Sequence, residues 1–353
     1  MKNKIICCLI PFLLLGCSKQ QQVIPSTLPF KVTVVKTPET KELIGLMTQV
    51  TTLLETKDYN QLDELAAKLR SSKEHNADGA WKLSEVYYAL GVSNNIFGMP
   101  MFDNIPDTAF EDRLADLRDW ITAKPDSITA RVALASVQVD YAWNARSGNY
   151  ANKVTDEGWR LFGERLNEAA KTLGEAKNLD EKCPVYWSTM MSVAVGMQFP
   201  KDQFNDIFNQ AITYEPDFER YYVKRANYLL PRWYGSQGEW ENDLAKSADK
   251  IGGDDGDVLY AQVVWCLNRG TAFNNIFQEN NLSWPRVKKG FEILEKRYPN
   301  SLAVKNEAAY LAFYAQDAPT ARKYFDETKG QMDKSIWQSQ DEFLRFATYA
   351  YTH

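Results

Sequence analysis

The chain has 353 residues, 44% of them apolar and 25% charged, with 41 Lys and Arg against 46 Asp and Glu for a net charge of −5. An acidic chain without a basic run is unsuited to nucleic acid or anionic lipid headgroups, so neither is expected as a partner. Only two histidines, His75 and His353, are present, which argues against histidine-based metal or triad chemistry; no metal site and no cofactor is expected.

Residues 1–16 open with Lys2 and Lys4 and continue as an apolar stretch from Ile5 to Leu15. That layout is a secretory signal, too short to span a bilayer, which takes about 20 apolar residues. Its end, Leu14-Leu15-Gly16-Cys17, resembles the lipobox of bacterial lipoproteins. The resemblance implies cleavage before Cys17, a diacylglycerol on the Cys17 thiol, and frequently a further acyl chain on the new amine. The chain is then anchored to a membrane without spanning it, two or three acyl chains binding stably at ~0.8 kcal/mol per buried methylene. Ser18 after the cysteine favours the outer membrane, facing the periplasm. Loss of Lys2 and Lys4 leaves 39 basic against 46 acidic residues, a net charge of −7. Cys7 and Cys8 leave as well, so that Cys183 and Cys266 are the remaining thiols beside Cys17. Cys183 precedes a proline at a turn and Cys266 lies in an apolar helical run, which suits two separate thiols at least as well as a bridge.

Residues 17–38 are polar and punctuated by proline, as in a flexible tether. Within them Phe30, Val32 and Val34 alternate with Lys31 and Thr33 like a short strand, either disordered or packed on the body. From Glu39 to the end the pattern is helical. Leu43, Leu46, Met47, Val50, Leu53 and Leu54 form one helix face, and Leu62, Leu65, Ala66 and Leu69 repeat it after a turn at Lys57-Asp58. Comparable periods recur at 78–91, 107–122, 127–145, 155–178, 185–197, 201–214, 218–230, 238–250, 257–268, 285–297, 301–315, 318–328 and 335–350, with Asp107, Ser127, Asp257 and Ser335 at expected N-caps.

So many short helices predict a single all-α domain over 39–353, a bundle or solenoid of helical hairpins. Pro184 and Pro216 lie 32 residues apart, and Phe208 and Ala211 then occupy the aromatic and small second-helix positions of a 34-residue unit. Counting on from Pro299, Ala321 and Phe325 fall in the same places. This resembles tetratricopeptide repeats in degenerate form and implies a tetratricopeptide-like helical-hairpin solenoid; the 83 residues from Pro216 to Pro299 contain one expanded unit.

Two stretches are richer than such a frame requires: "YAWNARSGNYANKVTDEGWRLFGERL" from 141 and the run from Tyr186 that ends in "LLPRWYGSQGEW" at 240. Together they resemble an uncharacterised family of bacterial envelope proteins over roughly residues 110–330, with Pro231-Arg232-Trp233-Tyr234-Gly235-Ser236 as the most specific part. That resemblance implies the fold and carries no activity. On their own chemistry, Tyr141, Trp143, Arg146, Tyr150, Trp187, Arg232, Trp233 and Tyr234 suit an aromatic rim with guanidinium groups, able to hold a peptide carboxylate or a glycan. The same residues also suit gap-filling between helix pairs, with Arg232 at a helix end. Gly235 and Gly238 mark the turn begun by Pro231. The run 252–257 lacks calcium-loop spacing and fits a turn with an N-cap at Asp257. Asp156, Glu157, Glu164 and Glu168 beside Arg160, Arg165 and Lys171 fit a solvated face with local ion pairs. Tyr260, Val264 and Trp265 have core spacing.

These features predict a lipid-anchored envelope protein that binds or scaffolds a protein, peptide or glycan partner in an aromatic and arginine-lined groove, more naturally a binding module than an enzyme. The alternative is a glycan or peptide hydrolase using two carboxyls about 5 to 9.5 Å apart in a deep cleft; no catalytic residue stands out. A surface for oligomerisation is the third reading.

Overall fold

The computed structural model describes residues 28–92, 105–148, 150–271 and 273–353; the signal segment and Cys17 lie outside them. In chain order the elements are β1 (Thr33–Val35), α1 (Pro38–Glu55), α2 (Tyr59–Ser72), α3 (Lys82–Ala89), α4 (Asp107–Ala123), α5 (Ile128–Arg146), α6 (Asp156–Lys177), α7 (Pro184–Gly196), α8 (Lys201–Tyr214) and α9 (Glu219–Tyr228). They continue with α10 (Glu239–Ile251), α11 (Gly253–Gly270), α12 (Ile276–Glu279), α13 (Trp284–Arg297), α14 (Leu302–Tyr314), α15 (Ala318–Thr328), β2 (Gln331–Asp333) and α16 (Gln340–Thr352). The architecture is all-α, a solenoid-like array of helical hairpins with almost no strand among the described residues. No described helix is long and apolar enough to cross a membrane.

The helices sort into two rows. In α5, α7, α9, α11 and α14 residues on every side are buried, as expected of helices with neighbours all round. They form the inner row, with α5 against α7, α7 against α9 and α9 against α11. The outer helices α6, α8, α10, α13 and α15 bury one stripe and expose the rest. Pro125, Pro184, Pro216 and Pro299 stand just before or at the start of inner helices, where the missing N–H costs nothing and a fixed φ helps begin a helix. Phe208, Ala211, Ala321 and Phe325, the repeat positions inferred from spacing, are all buried.

Helix ends follow local chemistry. Ser127 caps α5, its hydroxyl accepting from Ala130 N at 3.0 Å. Three of the expected caps differ. Asp107 is the first helical residue after Pro106, its charge facing the helix's positive end. Asp257 lies inside α11, which starts four residues earlier at the left-handed Gly252-Gly253 corner, and pairs with Arg286 at 2.9 Å and Lys289 at 2.5 Å. Ser335 sits in the turn after β2, and Ser339 caps α16 instead. On the outer face of α6, Arg160 pairs with Glu157 at 2.6 Å and Glu164 at 2.7 Å. Cys183 is buried, Cys266 is partly buried, and both are free thiols.

The described part of the segment taken as tether is held against the body. β1 pairs in parallel with β2, Val34 opposite Met332, and the Phe30 ring packs on Phe325, Phe343 and Tyr351. Gly330 permits this crossing: its φ is +77°, and a Cβ there would lie 2.5 Å from the Lys31 carbonyl oxygen. Further on, α1 touches α14, and Glu39 Oε1 accepts from Leu302 N at 2.9 Å. The N-terminal 28–55 segment therefore crosses to the C-terminal helices and closes one side of the array over the inner row.

Candidate functional site

The turn at 229–240 is a backbone device first. Leu230 O accepts from Trp233 N at 2.9 Å and from Gly235 N at 3.3 Å, so the chain folds back on the end of α9. A Cβ on Gly235 would sit 1.8 Å from Leu229 O, which leaves glycine as the residue that fits. Tyr234 stacks on Tyr228 with centroids 4.8 Å apart, and its hydroxyl donates to Val195 O at 2.7 Å. Trp233 reaches the end of α5 and meets Trp143 edge-on at 5.8 Å. Trp143 packs on Phe162 at 4.9 Å, and the Arg146 guanidinium lies 5.6 Å from Trp143 and 5.5 Å from Trp159.

The two sequence stretches thus come together through Trp143, Arg146 and Trp233, but as a packed junction. Trp143 and Tyr141 are each 8% exposed. Tyr141 stacks on Phe110 at 4.7 Å beneath the Arg165 guanidinium, 3.2 Å from its ring centre. Trp187 packs against Tyr186 at 4.9 Å. Arg232 is exposed, 3.4 Å from Thr271 Oγ1. Of the aromatic residues singled out in the sequence, Tyr150 alone projects, at 86% exposure. Large rings gain most by leaving water, and an inter-helix gap takes them out of it more completely than a groove does.

The polar space lies elsewhere. A partly open cavity of about 320 Å³ lies between α1, α3, α9, α11, α14 and β2. Leu43, Ile44 and Met47 of α1 form one apolar side, with Trp265, Ala303 and Ile336 on others. Carboxyls from separate segments converge on it: Asp78 from the 73–81 turn, Glu85 of α3, Glu219 of α9, Glu307 of α14 and Asp333 of β2. Against these five stand Arg220, which also lines the cavity, and Arg269, whose Nη2 lies 3.4 Å from Ser335 O.

Burial governs these acids. It pushes the Glu85 carboxyl up to about 7, Arg220 opposing and the charges of Asp78 and Glu219 adding to the rise. Burial likewise lifts Glu219 to about 7 against Arg220, again with Asp78 adding. Glu307 is held well above the usual carboxylate range by burial and by Asp78 and Asp333. Hydrogen bonds meet some of this demand: Asn76 Nδ2 donates to Glu85 Oε1 at 3.3 Å, and Ser335 N and Oγ donate to Asp333 Oδ1 at 2.9 and 2.7 Å. They do not meet all of it. Glu219 is 4% exposed and ion-paired with Arg220, Nε to Oε1 at 3.4 Å, but neither carboxylate oxygen accepts a well-aligned hydrogen bond. Asp333 is 1% exposed and its Oδ2 is also unpartnered.

A smaller cavity of about 130 Å³ shares Tyr88 and Arg220 with the first and is bounded by hydroxyls of Ser84, Ser136, Ser188 and Ser192. Burial lifts Asp140 there to about 6 against the pull of Lys224, and lowers Lys224 to about 8 against the pull of Asp140. The Cys266 thiol beside the larger cavity is pushed up to about 12 by burial, which makes it a poor nucleophile. Among the described residues no group of His, Cys, Asp or Glu side chains is placed to hold a metal ion. What the larger cavity offers is carboxylate oxygens next to apolar walls, poised to exchange protons near neutrality.

None of the eight residues chosen from the sequence lines either cavity. A signal for this lining is a carboxyl within an apolar stretch of a helix buried all round, as Glu307 is in "LAVKNEAAYLAFY", two residues after Lys305, and Asp140 in "ASVQVDYAW". The chain is similar over residues 46–201 to a family described as Domain of unknown function (DUF4034), a span that holds Glu85 and Asp140 but ends before Pro231. No curated protein and no solved structure matches it.

Proposed function

We propose that the protein is a lipid-anchored binding module of the cell envelope, held through Cys17 to the outer membrane on its periplasmic side, which takes its ligand into the inner cavity instead of onto an aromatic rim. The observation that carries this reading is Glu219, a carboxylate buried at the wall of a 320 Å³ space, where its ion pair with Arg220 leaves both oxygens without an aligned hydrogen bond. Buried polar atoms almost always find partners, so one left open at a cavity is a place kept for a ligand. In this reading the Pro-Arg-Trp-Tyr-Gly-Ser turn fixes α9 to α5 through Trp233 and Trp143 and so sets the cavity's shape. Native mass spectrometry of protein released from envelopes tests it: wild type should carry a bound mass that Glu219→Gln lacks, and equal occupancy would reject the site. Labelling with radioactive palmitate, lost in Cys17→Ala, checks the anchor.

Glu85 and Glu219 favour a second reading, hydrolysis of a glycan or peptide, because two carboxyls near neutrality in one cavity can divide acid and base roles. Release of soluble products from purified sacculi by wild type, and not by Glu85→Gln, would establish it over binding alone.

A further inference from the structure

We propose that the inner cavity is selective for a small organic cation, an alkylammonium or alkylguanidinium whose charged head meets Glu219 and Asp333 while its stem lies against α1; this rests on the reading of that cavity as the binding site.

Three observations carry it. The first is the imbalance of charge. Glu39 of α1, Asp78, Glu85, Glu219 and Asp333 face the space together with Glu307, which burial keeps uncharged, and the cations facing or flanking it are Arg220 and Arg269 of α9 and α11. Cys266 is the remaining titratable group on α11 there, and its raised thiol is uncharged at neutral pH. The second is the oxygens without a hydrogen-bond donor: Oδ2 of Asp333 and the two of Glu219, of which Oε1 also faces Arg220 Nε at 3.4 Å, each on a side chain more than nine-tenths buried. An acceptor-only group lacks a donor, and an ammonium brings three and a guanidinium five. The third is the composition of the opposite side, where Leu43, Ile44 and Met47 offer apolar contact, Ile44 at 43% exposure. A hydrated inorganic ion has no use for that wall, whereas an alkyl stem gains by covering it.

Size favours a free small molecule over a lysine or arginine side chain of a folded partner. At ~30 Å³ per water-sized group, 320 Å³ accommodates roughly ten such groups, and α1 with β1 crosses above the inner row. The protonation of the acids supplies a signature. A cation favours the ionised carboxylates, so its entry expels the protons that Glu85 and Glu219 hold near neutrality, and binding tightens between pH 6 and 8.

The test is calorimetry on the full folded domain with agmatine and n-butylamine as probes, beside 1-butanol as the neutral analogue, glutarate as the anion, and the peptide Gly-Gly-Lys-Gly-Gly. Agmatine or butylamine should bind, releasing about one proton at pH 7 as read from buffers of different ionisation enthalpy. Glu219→Gln should weaken that binding roughly 10- to 100-fold, and Asp333→Asn should repeat the loss where Glu219→Gln alters folding. Met47→Trp, which narrows the apolar side, should exclude the probes whatever their charge. Binding of butanol or glutarate as tight as that of the amines, abolished by Met47→Trp, leaves the cavity as a site and overturns its cation selectivity. Preference for the lysine peptide over agmatine overturns the assignment to a free small molecule. Amine binding that survives Met47→Trp, or no binding by any probe, overturns the cavity as a site along with the inference.

Discussion

The aromatic junction at Trp143 and Trp233 and the carboxylate cavity below α1 are opposites in composition and in role. In the junction, residues rich in recognition chemistry are spent on each other, edge to face at 5.8 Å, with Tyr234 fastened to the Val195 carbonyl. In the cavity, ordinary single residues from distant segments leave their oxygens open. The difference shows that a cluster of conspicuous side chains in sequence says little about a surface. Both regions hold unsatisfied polar atoms, a single indole N–H on Trp233 in the junction against carboxylate oxygens in the cavity, and it is the latter that line a space able to admit a ligand.

That comparison predicts opposite responses to substitution. The largest effect should come from Gly235→Ala, whose new Cβ meets Leu229 O at 1.8 Å; a loss above about 4 kcal/mol would mark a diagnostic backbone clash, seen as loss of cooperative melting by circular dichroism. Trp143→Ala should cost about 3–5 kcal/mol, the range for a buried tryptophan, in chemical denaturation. A loss under about 1 kcal/mol would mean that the junction is a surface and not packing.

In the cavity the sign reverses. Glu219 is lifted in the folded chain to about 7 from an ordinary 4.5, so the folded state binds more protons between those values. Stability is therefore present below pH 4.5 and lost as pH rises to 7, by on the order of 3 kcal/mol for that group. Glu219→Gln should flatten this fall and leave the ligand-free protein more stable than wild type at pH 8, as measured by urea midpoints at pH 5 and pH 8. An unchanged pH profile in the variant would show that Glu219 has a partner in solution.

Smaller effects sharpen the junction. A double-mutant cycle on Trp143 and Trp233 should return a coupling of about 0.5–1.5 kcal/mol. Tyr150→Ala should stay within about 0.5 kcal/mol of wild type and leave ligand capture unchanged. A clear loss of capture would restore the aromatic rim as a binding face.

Helix periodicity was enough to place nearly every long helix within a few residues, since 3.6-residue spacing and turn prolines are local properties. The exceptions have tertiary causes. The stretch expected to be helical from Ser335 begins its helix after Ser339, because Ser335 donates to Asp333 Oδ1 in the turn after β2, a strand whose partner β1 lies about three hundred residues away in the chain. The glycine at 235 was legible as a turn, but not the carbonyl that makes it obligatory.

By itself the sequence determined the all-α hairpin array, the prolines that punctuate its repeats and the resemblance of its first seventeen residues to a lipoprotein signal, all of which depend on local sequence. Only the tertiary structure decided that the N-terminal segment crosses to α14 and β2, that the tryptophans face one another, and that Asp78, Glu85, Glu219, Glu307 and Asp333 share one space. The reason is that desolvation acts on where a carboxyl ends up, and a residue's own helix face does not reveal which distant helices will close over it.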